Sequence, residues 1–215
     1  ANPYWIQNRQ LRENKKTRYM INASLKYQLF DWLDVVGRVK IDNYDNRSTY
    51  KAYASTGTLV SGDRGTYSDT STQSKNTYAD AIATLNKSFN DWSVNVNLGV
   101  SLSDSRYEMI GYEGGLKLIN FFAVHNIDFN KAWKAKQSGW HDQTRAIFAN
   151  AEIGWKSMIY LTATGRNDWD SALAFSESGK RSFFYPSVGL SGIISEMVTL
   201  PKWFTYLKAR LSYTS

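Results

Sequence analysis

The sequence predicts an all-β protein: an antiparallel transmembrane β-barrel wall of about eight strands. Between Trp92 and Ser103 every even position is apolar and every odd position is small or polar. Successive strand side chains point to opposite faces, so this segment has one apolar and one polar face. Similar segments recur along the chain and are joined alternately by tight turns and long polar connections. That order is typical of barrels that cross an outer membrane.

Composition is compatible with such a barrel and incompatible with a helical membrane protein. Of the 215 residues, 42% are hydrophobic and 15% are aromatic, and no apolar run approaches the length of a membrane helix. Only alternate residues of a barrel strand face lipid, so its strands need not look hydrophobic overall. The chain has no cysteine, which excludes disulfides and thiolate metal sites.

The net charge of +7 does not indicate a nucleic-acid partner. The basic residues are dispersed, and no nucleic-acid-binding motif accompanies them. Surface Lys and Arg at the rim of a barrel are better explained by pairing with anionic headgroups of outer-membrane lipid.

The first four candidate strands form two hairpins. The first strand covers about Arg18 to Phe30, and the second runs from Leu33 to Asp42 after a turn at Asp31 and Trp32. Their apolar faces carry Tyr19, Ile21, Ala23, Leu25, Tyr27, Leu29, Leu33, Val35, Gly37, Val39 and Ile41. The third strand, about Asn76 to Phe89, aligns Ala79, Ala81, Ala83 and Leu85, and a turn at Asn90 and Asp91 leads into the strand from Trp92 to Ser103.

The last four candidate strands follow in the second half of the chain. The fifth strand is marked by Arg145, Ile147, Ala149, Ala151, Ile153 and Trp155, and the sixth, after a turn at Lys156 and Ser157, by Ile159, Leu161 and Ala163. The seventh is marked by Phe184, Pro186, Val188, Leu190 and Gly192, and the eighth by Leu207, Ala209, Leu211 and Tyr213.

Three long polar connections, over about 43–75, 104–142 and 165–182, follow the even-numbered strands. Outer-membrane barrels keep short turns in the periplasm and long loops outside, so we expect these three on the extracellular side. Aromatic residues recur at strand ends, as membrane-interface girdles require. They are Phe30, Trp32, Phe89, Trp92, Trp155, Tyr160, Phe183, Phe184, Tyr185, Trp203 and Tyr206.

Two other classes remain open on the pattern alone. One is a small passive or structural outer-membrane barrel complete at about eight strands, and the other is a secreted glycan-binding β-sandwich. Alternation still continues at Tyr213, and the N-terminal residues do not form a signal peptide. These features favour a stretch of a larger barrel.

Four blocks in this order resemble the SusC/RagA family of TonB-dependent outer-membrane transporters of Bacteroidetes. They are Asn2-Pro3-Tyr4-Trp5, the GRNDW-like block 161–169, the FFYPSV-like block 182–188 and the LKxRxSY-like block 207–213. Each block is weak evidence alone, but together they span almost the whole chain.

This resemblance implies a wall segment of a 22-stranded barrel closed by a plug. It further implies active import of bulky nutrients, either glycans (oligosaccharides) or peptides, under a SusD-like surface lipoprotein. TonB would drive the plug through parts of the protein that are not in this chain. The implied location is the outer membrane of a Gram-negative bacterium of the Bacteroidetes.

The block after the sixth strand offers candidate ligand contacts. Arg166 and Asp168 could bind polar groups of a ligand while Trp169 stacks on a sugar face. Alternatively, Arg166 pairs with a carboxylate to fix the base of the loop, and Trp169 anchors at the membrane interface. We favour the second interpretation.

The segment Leu116–Val124 is unusually apolar for an outer connection. We expect it to pack in the barrel mouth or against a capping lipoprotein, although an extra strand is also possible. Candidate ligand or cap contacts in this region are Tyr112, Phe121, Phe122, Trp133 and Trp140.

Nothing in the sequence predicts an enzyme or a cofactor. His125 and His141 are the two histidines, and neither has neighbours with the spacing of a metal site or of a nucleophile and its base. The expected role is therefore transport, without a catalytic residue and without a metal.

Overall fold

The computed structural model describes residues 2–57, 61–175, 181–198, 201 and 205–215. Eight strands form one sheet in which chain neighbours are sheet neighbours, in the order β1 to β8. The strands are β1 Gln10–Phe30, β2 Leu33–Ala52, β3 Thr66–Phe89, β4 Trp92–Gly115, β5 Trp133–Trp155, β6 Ile159–Asp170, β7 Ser182–Ile193 and β8 Lys208–Thr214. The predicted all-β antiparallel architecture is therefore confirmed.

Among the residues that the structure describes, the helical segments are short. A first helix, α1, covers Pro3–Arg9, and a single turn, α2, covers Ile194–Met197. Two 3-10 turns cover Val124–Asn126 and Ser171–Phe175. Within the described ranges, no helix combines the length and apolar composition needed to span a membrane.

The register of β5 to β8 places apolar residues in continuous rows. Ile153 is opposite Leu161, which is opposite Leu190, which is opposite Leu211. The adjacent polar row consists of Glu152, Thr162, Gly189 and Ser212. Because a one-residue slip would exchange these faces, the pattern fixes the register strongly.

The predicted tight turns are confirmed at all three places. Residues 31–32 join β1 to β2, residues 90–91 join β3 to β4, and residues 156–158 join β5 to β6. Asn90, Lys156 and Ser157 have positive φ values of 51°, 50° and 58°. Positive φ at the turn residues lets a tight hairpin follow the right-handed twist of its strands.

The predicted long connections are wrong in extent, because the strands continue into them. The structured connections are only 53–65, 116–132 and 171–181, within which 58–60 and 176–180 lie outside the described residues. Alternation fails there because neither face is apolar, yet Thr and Tyr fit strands well and the backbone ladder needs no apolar face. Their extracellular location stays a prediction, and the predicted girdle residue Trp203 lies outside the described part.

The chain divides into two compact units. Unit 1 comprises Ala1–Met20, Ile41–Asn76 and Ser105–His141, and unit 2 comprises Ile21–Lys40, Thr77–Asp104 and Asp142–Ser215. Each unit therefore contains parts of several strands.

Unit 1 has a small core organised by Asn126. The Asn126 side chain is buried; its Nδ2 donates to the Leu118 and Phe121 carbonyls at 2.9 and 2.7 Å, and its Oδ1 accepts from the Leu118 amide at 3.0 Å. Leu116 and Ile127 form a single antiparallel bridge beside it and are fully buried. This bridge and these bonds shape Leu116–Val124 as a turn, so the extra strand considered from sequence is wrong.

A second asparagine in unit 1 ties two connections together. Asn120 has a φ of 56°, and its Oδ1 accepts a hydrogen bond from the Ala54 amide at 2.8 Å. The Asn120 amide in turn donates to the Arg64 carbonyl at 3.0 Å. The connections 53–65 and 116–132 are thus held to each other by specific bonds.

Unit 2 is almost entirely strand and has very little core. Among its described residues, Ala146 is the buried apolar side chain. The Phe148 ring lies across the neighbouring strand at Gly99, where a Cβ atom would come within 2.2 Å of the ring Cζ. Gly99 thus leaves room for an aromatic ring that a side chain at this position would displace.

Candidate functional site

The two faces of unit 2 differ sharply in what they expose. Large apolar side chains are exposed on one face: Leu25 (76%), Leu98 (54%), Leu161 (46%), Val188 (51%), Leu190 (50%) and Leu211 (75%) are examples. We call this surface the apolar face and the opposite one the polar face. A soluble monomer rarely leaves a contiguous apolar surface of this kind uncovered.

The polar face of unit 2 carries the predicted Arg166 and Asp168 side chains together. Arg166 Nε donates to Asp168 Oδ1 at 2.7 Å. The Arg166 guanidinium also lies over the Phe148 ring, 5.6 Å from its centroid. Tyr185, opposite Arg166 in the register, is 48% exposed. Aromatic rings and a charge-assisted pair thus share the polar face.

Trp169 does not belong to this cluster. It follows Asp168 on a strand, so its side chain lies on the opposite face, where it is paired in register with Arg145 and is 41% exposed. Because Trp169 lies on the other face of β6, it cannot contact the same ligand as Arg166 and Asp168. Arg166 does pair with a carboxylate, that of Asp168, as the second interpretation expects, and the anchoring of Trp169 at a membrane interface stays a prediction.

The five predicted contact residues of unit 1 lie in different surroundings. Phe122 packs edge-on against Tyr53 at 4.8 Å and lies 6.2 Å from Tyr67, so it stabilises the connections. Phe121 is 49% exposed and contacts the His125 ring at 5.6 Å. Phe122 is thus a packing residue, whereas Phe121 remains accessible.

The remaining three are all on strands. Trp140 is 48% exposed and stacks on Tyr107 with ring centroids 6.0 Å apart. Trp133 is 43% exposed and packs edge-on against Phe129 at 4.9 Å. Tyr112 lies half-buried within β4. The structure brings Phe121 and Phe122 into one connection and leaves the other three dispersed along β4 and β5.

Sequence analysis missed a series of ion pairs between neighbouring strands. Arg18 and Asp42 form a two-bond pair at 2.8 and 2.7 Å, and Arg38 holds both oxygens of Asp80 at 2.8 Å. The Asp80 carboxylate is only 1% exposed, so the fork of Arg38 satisfies a buried charge. The sequence did contain a signal for these pairs. Counting residues outward from each tight turn places the arginine and the aspartate of a pair on neighbouring strands and on the same face of the sheet.

A further pair in unit 1, Arg47 with Asp69, shifts the titration of its neighbours. Arg47 contacts the two Asp69 oxygens at 3.0 and 2.6 Å. The hydrogen bond from Arg47 holds the pKa of Asp69 below its usual value, although partial burial opposes this. Burial, together with the Asp69 charge, raises the pKa of Tyr67. Asp69 is therefore ionised and paired at neutral pH.

Basic side chains also lie over tyrosine rings of the next strand. Lys16 Nζ is 4.1 Å from the Tyr44 centroid, and the Arg12 guanidinium is 4.7 Å from that of Tyr50. These cation–π contacts accommodate positive charge without consuming a carboxylate. Within the described residues, no group of three or more potential ligands could hold a metal ion.

Comparison with known proteins gives a match in structure alone. No protein-family model and no curated protein sequence matches the chain. A solved structure of the RagAB peptide transporter superposes with a TM-score of 0.86 at 16% identity, covering 99% of this chain and 24% of its own. The chain has the fold of part of RagAB.

Two further RagAB structures agree with this result. The RagAB peptide importer in the "open-open" state gives a TM-score of 0.87 at 15% identity, and in the "closed-closed" state 0.85 at 16%; each comparison covers 99% of this chain and 23% of the other. The chain therefore spans 23–24% of the length of these RagAB chains. The fold implied by the SusC/RagA resemblance is confirmed.

Proposed function

We propose that the chain is part of the barrel wall of a TonB-dependent outer-membrane transporter of SusC/RagA type, which imports bulky nutrients together with a SusD-like lipoprotein. The observation that carries this proposal is the exposed apolar face of unit 2 on a sheet with the fold of RagAB. Lipid is the solvent that would cover such a face.

The dimensions of the apolar face support this placement. On β5 the apolar face runs from Trp155 at the short turn to Arg145, ten residues away. A strand rising about 3.3 Å per residue extends roughly 33 Å over that distance. At the tilt of about 35–45° usual in barrels, its height is roughly 23–27 Å, which matches the apolar band of about 25 Å. Aromatic residues at both limits, Trp155 and Trp169, would form the girdles.

In this proposal the residues of the chain line the lumen and contact the nutrient, and they carry out no chemical step. Arg166, Asp168 and Tyr185 would line the lumen on the polar face, and Trp140 with Tyr107 would offer a stacked aromatic surface to a sugar ring or a peptide side chain. The fold match supports import of a large nutrient. It does not separate peptides from glycans, because the name RagAB peptide transporter describes that protein alone.

The connection 116–132 would meet the lipoprotein. Leu118, Ile119 and Phe121 are 64%, 63% and 49% exposed on a turn that Asn126 holds rigid. A rigid apolar patch of this kind is a suitable docking surface for a partner. The Phe121→Asp variant should reduce co-purification of the lipoprotein, whereas Phe122→Asp should instead reduce the yield of folded barrel.

The alternative functions fit less well. A two-sheet sandwich does not agree with the single sheet of the described strands. A small closed barrel would pair β8 with β1, whereas β1 and β8 lie at the two ends of the observed strand order.

A cysteine scan of β6 in the parent protein tests the membrane placement. The 215 residues contain no cysteine, so once any cysteine elsewhere in the parent is replaced by serine, single replacements at Leu161, Thr162, Ala163 and Thr164 can be compared directly. In outer-membrane vesicles a small water-soluble thiol reagent should label positions 162 and 164 and spare 161 and 163. Equal labelling of all four positions, or recovery of the protein in the soluble fraction, would refute the proposal.

Uptake measurements test the transport function separately. Cells lacking the parent gene should regain uptake of labelled peptide or oligosaccharide pools when the wild-type gene is restored. The Arg166→Gln and Trp140→Ala variants should reduce this uptake while membrane insertion stays normal. Restoration without any uptake of either pool would contradict an importer.

A further inference from the structure

The apolar face of unit 2 contains a groove instead of a uniform surface. Small residues on β3, β5 and β6 form its floor: Ala81, Ala83, Ala149 and Gly165. Larger side chains border it, among them Val35, Leu98 and Phe184. The groove has a volume of about 710 Å³, within the roughly 300–1,000 Å³ of ordinary ligand sites. Apart from Asn167 its lining is apolar.

The groove continues toward a positive charge. A second depression of about 560 Å³ shares Ala81, Val100, Ile147 and Trp169 with the first and adds Arg145. The Arg145 side chain lies on the apolar face, opposite Trp169 in the register. The combined groove therefore has a long apolar body and a cationic end.

Arg145 differs from the arginines that hold carboxylates. Arg18, Arg38, Arg47 and Arg166 each hold an aspartate at 2.8 Å or less. No carboxylate among the described residues forms an ion pair with Arg145. A guanidinium at the edge of an apolar surface is costly without a partner and binds phosphate in a two-bond geometry.

The acidic groups nearest to the groove are already engaged. Asp80 lies on β3, which lines the groove. Its carboxylate is paired with Arg38, and its side chain is only 1% exposed. Asp104, near the same end of β4, accepts a hydrogen bond from Gln143 Nε2 at 2.5 Å. An external anion is therefore the fitting partner for Arg145.

We propose that this groove and Arg145 bind one phosphorylated glycolipid of the outer leaflet, with an acyl chain along the groove and a phosphate on the guanidinium. Trp169 lies beside Arg145, where its amphipathic ring suits the headgroup level. Arg145 is at the end of the apolar face remote from the short turns, which outer-membrane barrels keep in the periplasm. That level selects the outer leaflet and hence its glycolipid over the glycerophospholipids of the inner leaflet.

This inference rests on the membrane placement proposed above. The test uses the intact parent protein, purified in mild detergent, depleted of lipid and offered phosphorylated lipid A, its dephosphorylated form or phosphatidylglycerol. Native mass spectrometry then measures how much of each lipid stays bound. The wild-type protein should retain phosphorylated lipid A most strongly, and removal of the phosphates should weaken retention by about tenfold.

Variants identify the site. Arg145→Gln should reduce retention of phosphorylated lipid A by about tenfold and leave the dephosphorylated lipid unchanged. Ala81→Phe, which fills the floor of the groove, should reduce retention of both forms. Arg210→Gln removes the same charge from the polar face and serves as the matched control, with wild-type retention expected.

Three outcomes would overturn the inference. They are equal retention of phosphatidylglycerol, equal retention of dephosphorylated lipid A by the wild type, and unaltered retention by Arg145→Gln. The comparison among lipids on the wild type needs no variant, so misfolding of a variant cannot conceal the answer. If the cysteine scan shows alternating protection but lipid A is not retained, the glycolipid site fails and the membrane placement stands.

Discussion

Units 1 and 2 contain parts of the same strands but bury their apolar residues in opposite ways. Unit 1 encloses Ala52, Tyr67, Leu116 and Ile127 within itself, whereas unit 2 encloses Ala146 and exposes whole rows of Leu, Ile and Val. Unit 1 is thus organised as a water-soluble structure is, around a small core and satisfied polar groups. Unit 2 is organised for an apolar surrounding that the chain itself does not provide. One strand can therefore serve two solvents, since only its side-chain pattern changes.

A charge placed on the apolar face should have the largest effect. Val188 lies in the row Ala151, Ala163, Val188 and Tyr213, near the middle of the apolar band. Val188→Arg should lower the free energy of unfolding in lipid vesicles by about 2–4 kcal/mol, the cost of a cation near the bilayer midplane. Ser187→Arg, on the polar face of the same strand, should cost under about 1 kcal/mol. Equal effects in urea-unfolding measurements would erase the distinction between the faces.

Removing the organising amide of unit 1 should open that unit selectively. Asn126→Leu leaves three backbone groups without their partner, and each unsatisfied buried group costs roughly 1–3 kcal/mol. We expect faster hydrogen exchange and protease cleavage in 116–132, with unchanged protection of β6 and β7. Protection lost throughout the protein would mean that the two units do not open independently.

A methyl group at Gly99 should disturb unit 2 to an intermediate extent. The added Cβ would displace the Phe148 ring, and overpacking of this kind typically costs about 1–3 kcal/mol. The displacement should also weaken the contact between Phe148 and Arg166. Combining Gly99→Ala with Phe148→Ala should recover part of the loss relative to the single variants. A purely additive double-variant result would indicate that the ring and the glycine are not coupled.

Acid should loosen unit 1 at the Arg47–Asp69 pair by a small amount. Because the folded pKa of Asp69 is lowered, its contribution is complete above the unfolded pKa of about 3.9 and is lost as pH falls through the folded value. Arg47 is 63% exposed, so screening limits this contribution to about 1 kcal/mol or less. Hydrogen exchange near β2 and β3 should rise below about pH 4 in the wild type. Asp69→Asn should remove this step and Arg47→Lys should reduce it, whereas an identical acid step in Asp69→Asn would assign it to another group.

The sequence was most informative where one face of a strand is apolar. From Ile159 to Ala163 and from Val188 to Gly192, alternation predicted the strands and their facing, which the register bears out, and the turn at Lys156 and Ser157 precedes Ile159 as predicted. It was least informative from Asn43 to Ala52 and from Thr66 to Lys75. There both faces are polar, so periodicity carries no signal although the backbone ladder continues.

The candidate site shows the same limit. The pairing of Arg166 with Asp168 could be anticipated from the two-residue spacing on a strand, and so could the separation of Trp169 from both. The structural role of Asn126 could not be anticipated. Its side chain bonds to three backbone groups that come together only when the connection 116–132 folds back on itself.

By itself the sequence determined the antiparallel strands, their two faces and the tight turns, because a period of two and the conformational preferences of turn residues are local properties. Only the tertiary structure decided how far the strands extend, which aspartates Arg18, Arg38, Arg47 and Arg166 hold, and that Arg145, at the end of an apolar groove, has no carboxylate partner among the described residues. These features depend on which side chains face each other across strands, and residues far apart in the chain become neighbours only when the register is set.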